Sequence, residues 1–210
     1  MDWRIIIIQV FVLLFAITIH EASHAWAAMK MGDPTASAMG RVSLNPLAHI
    51  DPFGTVILPL ILILVLRAPA FGWAKPVMVN PRNLRHPRRD NVWISLAGPA
   101  ANLAAATVSL MILVILKHLP QNSSTLEALF MIFYAAVMIN VFLAVFNLIP
   151  IPPLDGSGIL AGILSDEAAA KYDRIRPYGF IIIIGLVYVG VLDFFFRLVQ
   201  LFISALLGFF

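Results

Sequence analysis

The chain has 210 residues, of which 61% are hydrophobic and only 12% are charged, and its mean hydropathy is +0.94. Soluble domains carry about 25% charged residues, so this composition excludes a soluble domain and indicates a multi-pass membrane protein in a lipid bilayer. The absence of cysteine excludes disulfides and thiolate metal sites, which leaves His, Asp and Glu as metal ligands. The net charge of +3 comes largely from residues 82–89. Beside apolar segments, such a run is typical of a cytoplasmic loop, and we expect no nucleic-acid partner.

The first apolar stretch, residues 5–28, is long enough to cross a membrane and contains the sequence His20-Glu21-Ala22-Ser23-His24. On a helix, residues 20 and 24 lie on one face, about 6 Å apart, so both can bind one metal ion. Glu21 is next to them, where a general base would lie, and the pattern is typical of zinc hydrolases. Each ionisable group in hydrocarbon costs roughly 2.5–3.5 kcal/mol. Three of them together therefore indicate a function rather than simple helix packing.

The segment that follows is rich in glycine and proline, which argues against a long helix. We predict a short strand or β-hairpin over residues 39–44 at the membrane surface and a second extended piece over residues 72–80. An exposed strand edge in this position would pair with an unwound substrate segment, and a plain structural loop is the alternative. Residues 53–66 form a short apolar stretch that contains Pro59.

Three further apolar stretches, residues 92–116, 128–149 and 180–210, are read as helices. As one helix the last of them would be about 46 Å long, which exceeds the hydrocarbon core of about 30 Å, and Asp193 and Arg197 interrupt it. We therefore predict one span near residues 180–192 and then a tilted or interfacial helix.

The predicted fold is an all-α polytopic membrane protein that forms a single membrane-embedded domain over residues 1–210. Its three-helix catalytic core covers about residues 5–162, and C-terminal helices cover about residues 178–210.

A third metal ligand is needed, because a catalytic zinc usually takes three protein ligands and an open position. His86 lies in a hydrophilic loop and His118 at a helix end, both ordinary locations, whereas His49 in the proline-rich loop stays a candidate. Asp155 follows the helix over residues 128–149, where prolines end that helix. Its carboxylate is equally suited to cap the next helix, so the spacing alone leaves the choice open.

The topology depends on whether residues 53–66 cross the membrane or enter and return. A full crossing places the end of the first helix opposite Asp155, unless a tilt compensates. A re-entrant path brings His20, His24 and Asp155 to one half of the membrane, and it also places most basic residues on one side. These residues are Lys30, Arg41, Arg67, Lys75, Arg82, Arg85, Arg88, Arg89, Lys171, Arg174 and Arg176. By the positive-inside rule that side is the cytoplasm, so we prefer the re-entrant path.

Three motifs together resemble the site-2 protease family of intramembrane zinc metalloproteases, in a compact form without PDZ or CBS domains. The resemblance covers roughly residues 5–162. The motifs are His20-Glu21-x-x-His24, then Ser95-Leu96-Ala97-Gly98-Pro99-Ala100-Ala101-Asn102, and finally Asn147-x-x-Pro150 followed by Leu154-Asp155-Gly156.

This resemblance implies hydrolysis of peptide bonds in or near transmembrane segments of substrate proteins. It implies one zinc ion held by His20, His24 and Asp155, with Glu21 as the base. Asn147 is the first candidate for a substrate or oxyanion donor and Asn102 the second, with interhelical hydrogen bonding as the alternative for both.

Many members of the family carry a span before the metal helix or a regulatory module, for which this chain has no room. We therefore expect a separate adaptor or regulatory protein, and we expect the C-terminal helices to form a lateral gate. The simplicity of the chain suits the plasma membrane of a bacterium or archaeon.

Two other functions compete with a protease. A catalytically silent scaffold of the same fold would not need Glu21. A metal transporter would need polar residues along a path through the membrane, whereas here they cluster at one depth.

Overall fold

The computed structural model describes residues 3–57, 61, 74–119 and 123–208. In this part of the chain the secondary structure is helical, without a β-strand. The α-helices are α1 (Trp3–Lys30), α2 (Thr35–Ala38), α3 (Pro87–Lys117), α4 (Ser124–Asn147), α5 (Asp155–Ile163), α6 (Asp166–Asp173), α7 (Gly179–Tyr188) and α8 (Val191–Leu207). Short helical turns lie at Pro46–Ala48, Pro52–Ile57, Pro81–Asn83 and Arg176–Tyr178.

Helices α1, α3 and α4 have 28, 31 and 24 residues and are long and apolar enough to cross a membrane. Local signals fix where α3 and α4 begin. Pro87 occupies the first turn of α3, and the Asp90 carboxylate accepts a hydrogen bond from the His86 N–H at 2.7 Å. At the start of α4, the Ser123 hydroxyl accepts from the Thr125 N–H at 3.2 Å. Proline and hydroxyl caps at these positions are typical of helix starts, and the predicted all-α polytopic fold is confirmed.

The long helices pack against one another, and α3 contacts both α1 and α4. One apolar cluster joins α3, α4 and α8 through Leu113, Val137, Met138 and Ile203. A second cluster joins the end of α1 to the start of α3 through Ala27, Ala28, Leu84 and Ile94. Lipid is as apolar as these side chains, so close van der Waals packing holds the helices together. The alanines of α1 allow that close approach.

The C-terminal apolar stretch is divided into two helices, as predicted. Gly190 lies between α7 and α8 with φ of +80°, a left-handed conformation that glycine adopts without a Cβ clash. The segments Asp166–Tyr188 and Asp193–Leu206 meet at 58°. Asp193 and Arg197 lie inside α8, so the glycine and not this charged pair makes the break.

The predicted β-hairpin over residues 39–44 is wrong, and residues 74–80 also lack a strand. Gly40 turns the chain with φ of +71°. The buried Arg41 guanidinium then donates hydrogen bonds to the carbonyls of Ala48, Lys75 and Pro76. One buried side chain, rather than a ladder of backbone pairs, therefore holds the two segments together.

Most of the segment predicted to re-enter the membrane, residues 53–66, lies outside the described residues, because residues 58–60 and 62–66 are not described. The described chain on either side of it comes together, because the Lys75 N–H donates to the His49 carbonyl at 3.0 Å. This backbone hydrogen bond joins the loop before the segment to the chain after it, and the path of residues 53–66 through the membrane stays a prediction.

Asp33 links the end of α1 to the loop before α3, and its side chain is completely buried. One carboxylate oxygen accepts from the Thr35 N–H at 3.1 Å, from the Thr35 hydroxyl at 2.5 Å and from the Asn83 amide at 2.8 Å. The other accepts from the Asn80 N–H at 2.7 Å. This network positions residues 74–80 beside the end of α1.

Burial raises the pKa of Asp33, but the hydrogen bonds from Thr35, Asn83 and Asn80 outweigh burial and lower that pKa to about 2. The pKa of an unfolded Asp is about 3.9, so the ionised Asp33 stabilises the fold fully above that pH. This stabilisation is lost as the pH falls through about 2. We expect Asp33→Asn to destabilise the protein by about 1–3 kcal/mol at pH 7 and by less near pH 2.

Thermal unfolding in detergent at pH 7 and at low pH measures this difference. Asp173→Asn is the matched control, because Asp173 is exposed and pairs with Arg176 at the surface. An equal cost of Asp33→Asn at both pH values would contradict the prediction.

Candidate metal centre

The three predicted ligands converge in the structure. His20 and His24 lie one turn apart on α1, both 7% exposed, with their Nε2 atoms 3.1 Å apart. The Asp155 Oδ2 atom is 3.0 Å from the Nε2 of His20 and 3.2 Å from that of His24. Among the described His, Asp and Glu side chains, these three form the group with metal-binding geometry.

Hydrogen bonds fix the tautomers of both histidines. The Nδ1 of His24 is 2.7 Å from the Ile94 carbonyl, and the Nδ1 of His20 is 2.5 Å from the Asn102 amide oxygen. Both partner atoms accept hydrogen bonds only, so each Nδ1 carries a proton and each Nε2 is turned toward Asp155. Such bonds commonly orient metal-binding histidines.

The buried Asp155 Oδ2 atom has no hydrogen-bond partner within the described structure. Two ring nitrogens and a carboxylate oxygen that lie 3.0–3.2 Å from one another are well placed to share one metal ion. Two imidazoles and one carboxylate are also a usual donor set for catalytic zinc. The residues present therefore fit zinc.

Asp155 reaches the histidines because it is the first residue of α5, just after the chain turns away from the end of α4. The capping residue of α5 is Leu154, and no side chain caps this helix. The alternative that Asp155 caps α5 is therefore not supported.

Gly98 of α3 leaves no room for a side chain beside the two histidines. An added Cβ would lie 2.6 Å from His20 Cε1 and would overlap His24. The α3 backbone thus closes one side of the metal site.

Asn102 lies behind His20 and is completely buried. Its amide nitrogen donates to the Ala16 carbonyl at 3.1 Å and to the Asn140 amide oxygen at 2.8 Å. The Asn140 amide donates in turn to the Ala136 carbonyl at 2.9 Å. The predicted role of Asn102 as a substrate or oxyanion donor does not match this geometry, because both of its amide hydrogens are used between helices. Asn140 was not predicted, and its position in an apolar helix is the signal that could have identified it.

We expect Asn102→Ala to weaken zinc binding by about 10- to 100-fold, the usual effect of removing a partner of a metal-binding histidine. The His20 ring would lose its orienting acceptor. Competition with a zinc-buffering chelator measures the affinity. Asn147→Ala is the control, since Asn147 contacts neither histidine. Equal affinities in wild type and Asn102→Ala would show that Asn102 does not orient the ring.

A cavity of about 800 Å³ opens in front of the metal-binding group. His20, Glu21, His24 and Asp155 line it together with Asn147. The half-buried Glu21 makes no hydrogen bond within the described residues, which leaves its carboxylate available to take a proton. The Asn147 amide donates to the Leu143 carbonyl at 2.9 Å, and one N–H remains for a ligand. Asn147 therefore lines the cavity, whereas Asn102 lies behind His20, and the role of Asn147 as a substrate donor stays a prediction.

His49, the alternative third ligand, is 2% exposed and lies outside the metal-binding group. Its Nε2 atom is 2.9 Å from the Ser43 carbonyl, so its ring belongs to the loop beside the cavity.

The fold and the site together define a membrane protein in which an H-E-x-x-H motif and a distant aspartate form a candidate metal centre. The model of peptidase family M50 matches residues 8–125 and 115–189. The chain belongs to this family, and the resemblance to the site-2 proteases is confirmed.

Relatives from bacteria and an archaeon are named as zinc metalloproteases. "Putative zinc metalloprotease YwhC" of Bacillus subtilis is 40% identical over 178 residues, which cover 82% of this chain and 76% of the relative. "Putative zinc metalloprotease Rip2" of Mycolicibacterium smegmatis is 29% identical over 194 residues, 90% of this chain and 70% of the relative. "Putative zinc metalloprotease MJ0611" of Methanocaldococcus jannaschii is 41% identical over 71 residues, 34% of each chain. No solved structure was found to match.

Proposed function

We propose that this protein is an intramembrane zinc metalloprotease that hydrolyses peptide bonds in or near transmembrane segments of its substrates. The observation that carries this proposal is the convergence of His20, His24 and Asp155 beside Glu21 inside the helix bundle. His20 precedes the end of α1 at Lys30 by about 15 Å along the helix axis. Peptide hydrolysis at such a depth suits a substrate that is itself embedded in the membrane.

One zinc ion per chain would be held by His20, His24 and Asp155. Zinc bound there supplies a Lewis acid that polarises the scissile carbonyl and makes the attacking water more acidic. Glu21 takes the proton from that water and then gives it to the leaving amine. Asn147, on the wall of the same cavity, donates a hydrogen bond to the substrate carbonyl.

The substrate must unwind before it is cleaved, because the amides and carbonyls of a transmembrane helix are already paired. Residues 74–79, which are neither helix nor strand, supply one wall of the cavity through Ala74, Pro76, Val77 and Val79. An extended substrate segment would lie along this wall. The hydrogen bonds of Arg41 and Asp33 hold both ends of the wall in place.

The C-terminal helices would form the lateral entrance. Phe180 and Ile183 of α7 line the cavity, and Phe196 of α8 packs against Phe142 of α4 with ring centroids 6.2 Å apart. Cysteines at positions 142 and 196, bridged by a bifunctional thiol reagent with a cleavable disulfide in its linker, would join α8 to α4 in a chain without native cysteine. We expect the crosslink to block cleavage of membrane substrates and reduction to restore it. Full activity of the crosslinked protein would exclude α8 as the moving element.

The metal site would lie in the cytoplasmic half of a bacterial or archaeal plasma membrane, since the basic loops share one side with the end of α1. Transmembrane proteins are the expected substrates, with a separate adaptor or regulatory protein as a further partner.

The proposal is tested by expressing wild type and Glu21→Gln in the same host and labelling new protein N-termini in the membrane fraction. We expect new termini within or next to transmembrane segments only with wild type. Identical termini in both samples would favour a silent scaffold. Zinc uptake into proteoliposomes would distinguish a metal transporter from both the protease and the silent scaffold.

A further inference from the structure

Asn91 and Ser95 form a pair of polar side chains one turn apart on α3, and both line the cavity that contains the metal-binding group. They belong neither to the metal-binding group nor to the residues assigned above to proton transfer. Most of the remaining cavity wall is apolar, including Ile94 on the same helix. Polar side chains on an apolar wall usually have a hydrogen-bond partner.

The hydrogen bonding of Ser95 differs from that of other hydroxyls in the long helices. Thr18, Ser23, Thr107 and Ser109 each donate to the carbonyl four residues earlier, at 2.6–2.8 Å. This local bond is the usual way to satisfy a hydroxyl in a membrane helix. The Ser95 hydroxyl makes no such bond within the described structure, although the residue is only 9% exposed.

Asn91 shows the same contrast with the asparagines of α4. Asn140 and Asn147 each donate to the carbonyl four residues earlier, both at 2.9 Å. The Asn91 amide has no hydrogen-bond partner among the described residues. Both members of the pair thus keep their donors and acceptors available to a ligand in the cavity.

Gly158 of α5 leaves the space into which both side chains extend. A Cβ at Gly158 would overlap the Ser95 hydroxyl and would lie 3.2 Å from the Asn91 amide nitrogen. Gly158 follows Asp155 by three residues, which is about 4.5 Å along the helix axis. The pair is therefore within one or two residues of a peptide bond held at the metal.

We propose that Asn91 and Ser95 form a subsite that hydrogen-bonds the main chain of an unwound substrate segment, opposite the wall formed by residues 74–79. This inference rests on the proposed protease function. An amide and a hydroxyl each offer a donor and an acceptor, which match the N–H and C=O groups of an extended peptide. Unwinding exposes those groups in apolar surroundings, where each unpaired group is costly. The subsite supplies partners that lipid cannot.

Two tetrapeptide hydroxamates test the subsite, one with the metal-binding hydroxamate at its N-terminal end and one with it at its C-terminal end. The peptide chains of the two probes extend from the metal in opposite directions. Acetohydroxamate has no peptide chain, so its affinity measures binding to the metal alone. The proteins are zinc-loaded wild type, Ser95→Ala and Asn91→Leu. Ser109→Ala is the matched control, because it removes a hydroxyl from the same helix that is already bonded to Ala105.

We expect each subsite variant to bind at least one tetrapeptide probe about 3- to 10-fold more weakly, the usual effect of losing one hydrogen bond. Acetohydroxamate affinity and zinc content should stay unchanged, as should all values for Ser109→Ala. If Asn91→Leu does not fold, the smaller change Ser95→Ala decides the question. Unchanged affinity for both tetrapeptides would overturn the subsite but not the protease. A failure of zinc-loaded wild type to bind acetohydroxamate would overturn the proposed function itself.

Discussion

Glu21→Gln is expected to reduce peptide hydrolysis by about 10²- to 10⁴-fold, the usual contribution of a general base. Glutamine has nearly the same shape as glutamate but cannot take a proton. The zinc content should not change, because Glu21 is not among the converging ligands His20, His24 and Asp155. Single-turnover cleavage by zinc-loaded protein measures the chemical step without product release.

Glu127→Gln is the matched control for this variant. It makes the same chemical change in the exposed first turn of α4, and we expect full activity. Activity of Glu21→Gln within about threefold of wild type would contradict a role of Glu21 as the base. Loss of zinc from this variant would instead point to Glu21 as a ligand.

Gly98→Ala is expected to have the second largest effect, although it adds only one methyl group. The methyl carbon would lie 2.6–2.7 Å from two atoms of the His20 ring and would overlap His24. The rings must move, or α3 must move away from α1. Overpacking of this kind typically costs about 1–3 kcal/mol, which corresponds to roughly 5- to 150-fold in zinc affinity.

Gly185→Ala separates this effect from a general intolerance of glycine substitution. Gly185 also lies inside an apolar helix, α7, but an added Cβ there meets no atom within 4 Å. We expect normal zinc affinity for Gly185→Ala and clearly reduced affinity for Gly98→Ala, measured by chelator competition. Equal affinities in the two variants would show that α3 does not close the metal site.

The local parts of the metal centre could be predicted from the sequence, because His20, Glu21 and His24 belong to one helix and their spacing sets their geometry. Asp155 could not be chosen over His49 by spacing, since its position depends on how α5 packs against α3. The resemblance supplied Asp155, and the structure places it beside both histidines.

Long-range hydrogen bonds could not be read from the sequence. Asn102 forms hydrogen bonds with His20, 82 positions away, and with Asn140, 38 positions away. The periodic pattern of residues along a helix does not indicate such distant pairs. The β-hairpin prediction failed for a related reason. Glycine and proline correctly indicated turns, but the sequence does not show that the side chain of Arg41 takes the place of strand pairing.

The division of the C-terminal stretch was predicted from its length, which exceeds the thickness of the membrane. The predicted end of the first span near residue 192 lies close to the observed break at Gly190, although the prediction attributed the interruption to Asp193 and Arg197. Backbone conformation at that glycine decides the position.

The zinc stoichiometry of detergent-purified wild type, Glu21→Gln and Asp155→Ala tests the metal centre most directly. We expect near one zinc per chain in the first two proteins and a clear loss in the third, because Asp155 completes the ligand set and Glu21 does not belong to it. Equal zinc in all three would remove Asp155 from the site. Absence of zinc from all three, even after the apo proteins are supplied with zinc, would contradict a zinc-dependent protease.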